Sequence, residues 1–259
     1  MTDSRAGDST RHRSRAQFAE LLKVQAMLAL REPYALLGGI GLPLILLVLF
    51  GWIGQQNPGP VGDSGLTIID VWTPTILVLS FIFISVSLPN TVVRDREIGW
   101  LRRVSTTPLH PSRLLAAQLI IDLILAGVAV LIIILGGALL FGASLHVQIL
   151  PFGVSLLLSI GELFAVGLVL VALVPTQAIA QPVAGVVTFA LMFLAGLWVN
   201  PAQVGDPLRT IMYYSPSGAA SKAVLDSAFQ GGPSYVALLT MVVYTVIFGF
   251  IAVRYFRWE

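Results

Sequence analysis

Six separate stretches of this chain are each about 20 or more largely apolar residues long, enough to cross roughly 30 Å of hydrocarbon as helix. They cover residues 34–54, 71–93, 114–141, 149–174, 181–199 and 234–253. The fifth opens on Gln181 and Pro182, so its start is open by a few residues. Inside lipid every backbone N–H and C=O must find its partner within the protein, and a helix does this locally. The expected fold class is therefore an all-α integral membrane protein with six transmembrane helices. Composition agrees: 11% of the 259 residues are charged, against about 25% in a soluble domain. That excludes a soluble enzyme, and with 56% hydrophobic residues it excludes a disordered chain. There is no cysteine, so disulfides, thiolate catalysis and Cys-ligated metals are excluded as well.

The cations orient the spans. Arg5, Arg11, Arg13, Arg15, Lys23 and Arg31 precede the first, Arg94, Arg96, Arg102, Arg103 and Arg113 follow the second, and Arg254 and Arg257 follow the sixth. Of the 15 Lys and Arg, Arg209 and Lys222 alone fall on the other side. The expectation is a multi-pass protein of the cell membrane with both termini cytoplasmic and residues 55–70, 142–148 and 200–233 outside. The net charge is +2 and the cations flank spans, so a nucleic-acid partner is not expected. Residues 1–14 are rich in Ser, Arg, Asp and Thr and read as a disordered cytoplasmic tail. Residues 15–259 read as one transmembrane domain. A cleaved signal peptide is not expected, because the first 33 residues are polar.

Between tail and first span, Phe18, Leu21, Leu22, Gln25, Leu28 and Ala29 recur at helical spacing, with Arg15, Glu20, Lys23 and Arg31 largely off that stripe. This fits an amphipathic helix lying in the inner interface, broken by Pro33. The alternative is a helix packed on the other cytoplasmic loop.

The loop after the second span reads RDREIGWLRRVSTTPLHPSR, residues 94–113. Residues 94–105 suffice for about three helical turns, and Pro108 and Pro111 end that helix and restart the chain. Trp100, Leu101 and Val104 form an apolar patch among charges, which suits a docking element for a partner protein. The competing reading is positive-inside charge with Trp100 anchored at the interface.

This stretch resembles the signature of ABC-2-type transporter permeases: Arg94, Asp95, Arg96, Glu97, Ile98, Gly99, Trp100, Leu101, Arg102, Arg103, then Thr106, Thr107, Pro108 and Leu109. Trp100 stands where Thr or a small aliphatic is commoner, and Arg102 where Glu is frequent. The six-span layout extends the resemblance to nearly the whole chain, which looks most similar to the daunorubicin/doxorubicin-exporter type. The resemblance implies that residues 97–107 form a coupling helix seated in a groove of an ABC ATP-binding subunit. Glu97, Gly99, Trp100, Leu101, Arg102, Arg103, Val104, Thr107 and Pro108 would carry that contact. It further implies two copies of that subunit, holding ATP and Mg, and a second permease chain, identical or sister, in membrane lipid.

Residues 200–233 open on Asn-Pro and close on Gly-Gly-Pro. Residues 207–214 and 218–229 are expected as two short amphipathic helices split at Ser215-Pro216, with Tyr213 and Tyr214 at headgroup level. In the family such helices sit at the outer mouth and dip back into the membrane.

No G-x-x-x-x-G-K-[ST], H-E-x-x-H or G-x-S-x-G occurs, and His12, His110 and His146 lie far apart. The chain is therefore expected to have no ATPase site and no cofactor of its own. Two carboxylates fall inside spans, Asp122 and Glu162. A charge at the bilayer centre costs at least about 2.5–3.5 kcal/mol, so each must face protein or water. They suit a proton relay or a contact for cationic cargo, or else structural hydrogen bonding between helices. The reading is an exporter subunit for amphipathic drug-like or lipid cargo. The rivals are a polysaccharide-exporting permease, a proton-coupled transporter using Asp122 and Glu162, and a non-transporting scaffold. No internal duplication supports the proton-coupled rival.

Overall fold

The computed structural model describes residues 20–31, 36–60, 65–97, 99, 111–143, 149–229 and 232–256. All regular structure among them is helical. A helix α1 covers residues 20–29. A π-helical turn, Leu37–Gly41, leads into α2, Leu42–Gln56. Then come α3, Ile68–Glu97; α4, Pro111–Phe141; α5, Ile149–Leu173; and α6, Gln177–Leu194. Two shorter helices follow, α7, Asp206–Tyr214, and α8, Pro216–Phe229, before α9, Tyr235–Tyr255. Six of these, α2 with its leading turn, α3 to α6 and α9, are long and apolar enough to cross a membrane.

The helix α3 is the axis of the bundle. Its apolar core is 89% buried, against 17% for α9 and 22% for α2 and α4, and it packs on α2, α4, α5, α6 and α8. Ile76, Leu77, Phe81 and Ile82 on α3 meet Leu47 of α2, Ile133 of α4 and Leu163 of α5 in one buried cluster. The helix begins with a capping box: the Thr67 amide donates to Asp70 Oδ2 at 3.1 Å, and the Asp70 amide to Thr67 Oγ1 at 3.4 Å. Pro89 has no N–H to give the carbonyl four residues back, that of Ser85. That carbonyl faces Gly167 of α5 so closely that a Cβ there would lie 2.3 Å from its oxygen. The missing side chain lets the two helix backbones touch, as small residues do between membrane helices.

The fifth span is displaced from its sequence reading of 181–199. It runs Gln177–Leu194 because Gly196, at φ +89°, ends it. The Gly196 amide bonds Phe193 O and the Leu197 amide bonds Met192 O, both at 3.1 Å, which is the Schellman arrangement. The second span is longer than expected. Residues 94–97 continue α3 without a break instead of starting a separate helix.

In α1 the sequence stripe divides. Gln25 is buried and Leu21, Leu22 and Ala29 half-buried, but Leu28 is exposed together with Val24 and Met27. At the opposite end of the bundle, α7 and α8 meet at Ser215, as the sequence suggested. The helix α8 is not a surface element. It packs on α3, α5, α6 and α9, with Ser217, Gly218, Ala219, Ala220, Ala223 and Val224 all buried. Ser217 Oγ donates to Leu191 O at 2.7 Å, and Thr75 and Ser221 share a hydrogen bond of 3.3 Å between α3 and α8.

Trp52, Trp198, Tyr214 and Tyr235 are exposed at this same end, where amphipathic rings suit a headgroup layer. Leu131, Leu135 and Leu139 on α4, and Val246, Phe250 and Val253 on α9, are bare apolar side chains of the kind that lipid covers.

Candidate functional site

The last turn of α3 reaches the loop that the sequence singles out, and it holds two helix ends on the way. Arg96 Nη2 donates to Val174 O at 2.5 Å and to Pro175 O at 3.0 Å, just past the C-terminus of α5. Glu97 Oε1 accepts from the Gln177 amide at 2.8 Å, the first N–H of α6. Thr176, the N-cap of α6, makes no side-chain cap bond. The free N–H groups that begin a helix need an acceptor, and here α3 supplies one. The signs suit the helix dipoles: a guanidinium meets the carbonyl end of α5 and a carboxylate meets the amide end of α6. Beside the pair a cleft of about 490 Å³ is lined by Arg96, Glu97, residues 172–175 and Tyr255.

Gly99 follows at φ +68°, the left-handed region that favours glycine, and its amide bonds Arg96 O at 3.0 Å. In the run Glu97-Ile98-Gly99, the Glu thus reaches a neighbouring helix end and the Gly turns the chain out of α3. Trp100, Leu101, Arg102, Arg103, Val104, Thr107 and Pro108 lie outside the described residues.

The two intramembrane carboxyls are not brought together. They sit on α4 and α5, which share little packing. Asp122 is buried, and Gln118 Nε2 donates to its two oxygens at 3.1 and 3.2 Å, one turn away on α4. Glu162 is fully buried and neither of its oxygens has a hydrogen-bond partner. Ser155 and Ser159 share its face of α5. Ser159 Oγ donates to Ser155 O at 2.7 Å, while Ser155 Oγ is unpartnered. No group of three His, Cys, Asp or Glu side chains able to hold a metal occurs among the described residues.

Sequence reasoning did not single out Arg96 as a site residue, since nothing local announces a bond to a carbonyl 78 residues away. It also passed over Asp226, a buried acid on α8 that Lys222 meets at 3.0 Å, with Lys222 Nζ 5.2 Å from the centre of the Tyr213 ring. The i, i+4 spacing was the available signal.

Residues 16–229 match the family described as ABC-2 type transporter. The chain is also 32% identical, over 136 residues, to ycf38 of Cyanophora paradoxa, a protein named as a candidate transport permease. That alignment covers 52% of this chain and 44% of the relative, so it spans just under half of the relative's length. With six helices fit to cross a bilayer and a family match over most of its length, this multi-pass membrane protein belongs to the ABC-2 type transporter family.

Proposed function

We propose that this chain is the membrane subunit of an ATP-driven exporter, moving amphipathic drug-like or lipid cargo outward with energy from a separate ATP-binding subunit. The observation that carries the reading is mechanical. The loop between Glu97 and Pro111 is fed by α3, the most buried of the six spans, which touches α2, α4, α5, α6 and α8. A push on that loop therefore reaches five other helices through packed side chains, which deform little. The loop is the coupling element, with Trp100, Leu101 and Val104 seated in the ATP-binding subunit and Arg102, Arg103, Thr107 and Pro108 around them.

In this arrangement the Arg96 end of the bundle is cytoplasmic, as the distribution of cations supports. The helix α1 lies in the inner interface, its exposed Val24, Met27 and Leu28 against lipid and Lys23 beside them at headgroup level. At the outer end α7 and α8 act as re-entrant helices. Two permease chains, identical or sister, form the pathway, and two ATP-binding subunits dock beneath.

The test is co-purification in mild detergent followed by ATP-dependent export from reconstituted vesicles. Truncating a buried aromatic anchor often costs about 2 kcal/mol or more of binding. Trp100→Ala combined with Leu101→Ala is expected to release the ATP-binding subunit or to uncouple hydrolysis from export, with membrane insertion intact. Retention of both binding and coupled export would remove the loop as the transmission element.

One observation favours a second reading. Glu162 is sealed inside the bundle with no partner, as a proton carrier in a secondary transporter would be in its occluded state. Transport driven by a pH gradient without ATP would decide for it.

A further inference from the structure

We propose that Arg96 and Glu97 form the joint through which movement of the loop is passed to α5 and α6, and that Glu97 is a positioning residue inside the chain, not a contact on the ATP-binding subunit. The proposal deepens the reading above and rests on it in one respect, that the loop meets an ATPase.

The argument starts from what the two side chains hold. Both leave the last turn of α3, so they travel with α3 and with the start of the loop. Their bonds end on adjacent pieces of backbone, Val174 O and Pro175 O on one side and the Gln177 amide on the other. The α5–α6 turn, residues 174–176, is thus held at both of its ends by two consecutive residues of a third helix. Each bond involves an ionised group, which makes it shorter and stronger than a neutral one. The start of α6 has no side-chain cap of its own, since the Thr176 hydroxyl does not cap it. A carboxylate already spent on the first amide of α6 is poorly placed to serve a partner protein as well.

Beyond the joint, α6 packs most broadly on α3, with α8 and α7 beside it, and 28% of its core is buried. Packing holds α6 along its length, and the joint adds a directional, charge-assisted hold on its first turn. When α3 shifts, the joint draws the start of α6 with it, and the bare outer face of α6 carries the movement to whatever lies against it. Broken, the joint leaves the first turn of α6 linked to α3 through apolar packing alone, so that it follows the loop less closely. The bundle itself should survive, because the pair sits at the edge of the apolar core and Glu97 is solvent-exposed.

The experiment needs no knowledge of the cargo. The chain has no native cysteine, so Val186→Cys, on the exposed face of α6, takes a single environment-sensitive fluorophore. The labelled permease is purified with its ATP-binding subunit, and the fluorescence change on adding a non-hydrolysable ATP analogue is recorded. The expected result is a clear change in the parent. Glu97→Ala should retain co-purification and lower the change about tenfold, a factor in line with the loss of one charge-assisted hydrogen bond. Glu97→Gln keeps an acceptor oxygen and should restore most of it. In parallel, amide exchange over residues 176–180 of the permease should quicken in Glu97→Ala and not in Glu97→Gln.

Loss of the ATP-binding subunit from Glu97→Ala would make Glu97 a docking contact and overturn the proposal. So would an undiminished fluorescence change, unchanged amide exchange, or a parent complex in which α6 gives no response. Failure of the parent to co-purify with any ATPase would instead sink the exporter reading, while the exchange result would still report on the joint.

Discussion

Gly167 presses on Ser85: its Cα faces the Ser85 carbonyl oxygen with no room for a side chain between them. The obstruction is backbone and cannot rotate away. Gly167→Ala is therefore expected to force α5 off α3 and to destabilise the bundle by about 1–3 kcal/mol, the usual range for overpacking. Gly161, on the same helix, has open space where its Cβ would go, so Gly161→Ala should be tolerated. Thermal unfolding of both variants in detergent checks this. Equal midpoints would mean that the α3–α5 contact is looser than described.

Glu162 makes the opposite prediction. Its carboxyl occupies an apolar interior with nothing to bond, and replacing buried unsatisfied polar atoms by apolar ones of similar size is neutral or stabilising. Glu162→Met should raise stability by about 1 kcal/mol or leave it unchanged, with ATP-driven export intact. If export disappears while the fold and the ATP-binding partner remain, the carboxyl is functional and a role for it in proton or cargo movement gains support.

Accessibility tests the orientation. Gln203 is exposed beyond α6, so Gln203→Cys should react with an impermeant maleimide on intact cells. Ser105→Cys should react only after permeabilisation. Ser217 lies in the segment that the sequence places outside, yet it is fully buried and bonded to Leu191 O. Ser217→Cys should therefore resist labelling from either side. Labelling at 105 but not at 203 in intact cells would invert the topology.

At Gly196 a side chain would meet both a left-handed backbone and the Pro201 ring, whose Cδ lies 2.9 Å from the position of a Cβ. Gly196→Ala should cost about 1–2 kcal/mol from the backbone alone. It should also loosen the end of α6, measurable as faster amide exchange over residues 195–198.

Hydropathy made the number of spans legible, because a helix in lipid announces itself by length alone. It misplaced the fifth for a physical reason. The run through Leu194, Leu197, Trp198 and Val199 stays apolar across a turn set by one glycine, while the first two turns of the helix carry Gln177 and Gln181. The stretch from Arg94 to Gly99 was legible as special and not as a clasp, since a hydrogen bond between Glu97 and Gln177 has no local pattern. The burial of α8 was hidden too. Its Ser, Gly and Ala residues read as a short amphipathic helix with one face in water, although small side chains are what let a helix lie close to its neighbours all round.

The place of α8 also sets an order on how the chain matures. Leaving the ribosome, α3, α5 and α6 precede α8, but α9 follows it, and α9 has its broadest packing with α5. When α8 emerges, four of the five helices it packs on, α3, α5, α6 and α7, are already made and the fifth, α9, is not. Until α9 inserts, one side of α5 and one side of α8 stay open to lipid and to the insertion machinery. Nascent chains stalled between α8 and α9 are thus the ones a membrane protease would find unfinished, and α9 is the piece whose arrival closes the bundle.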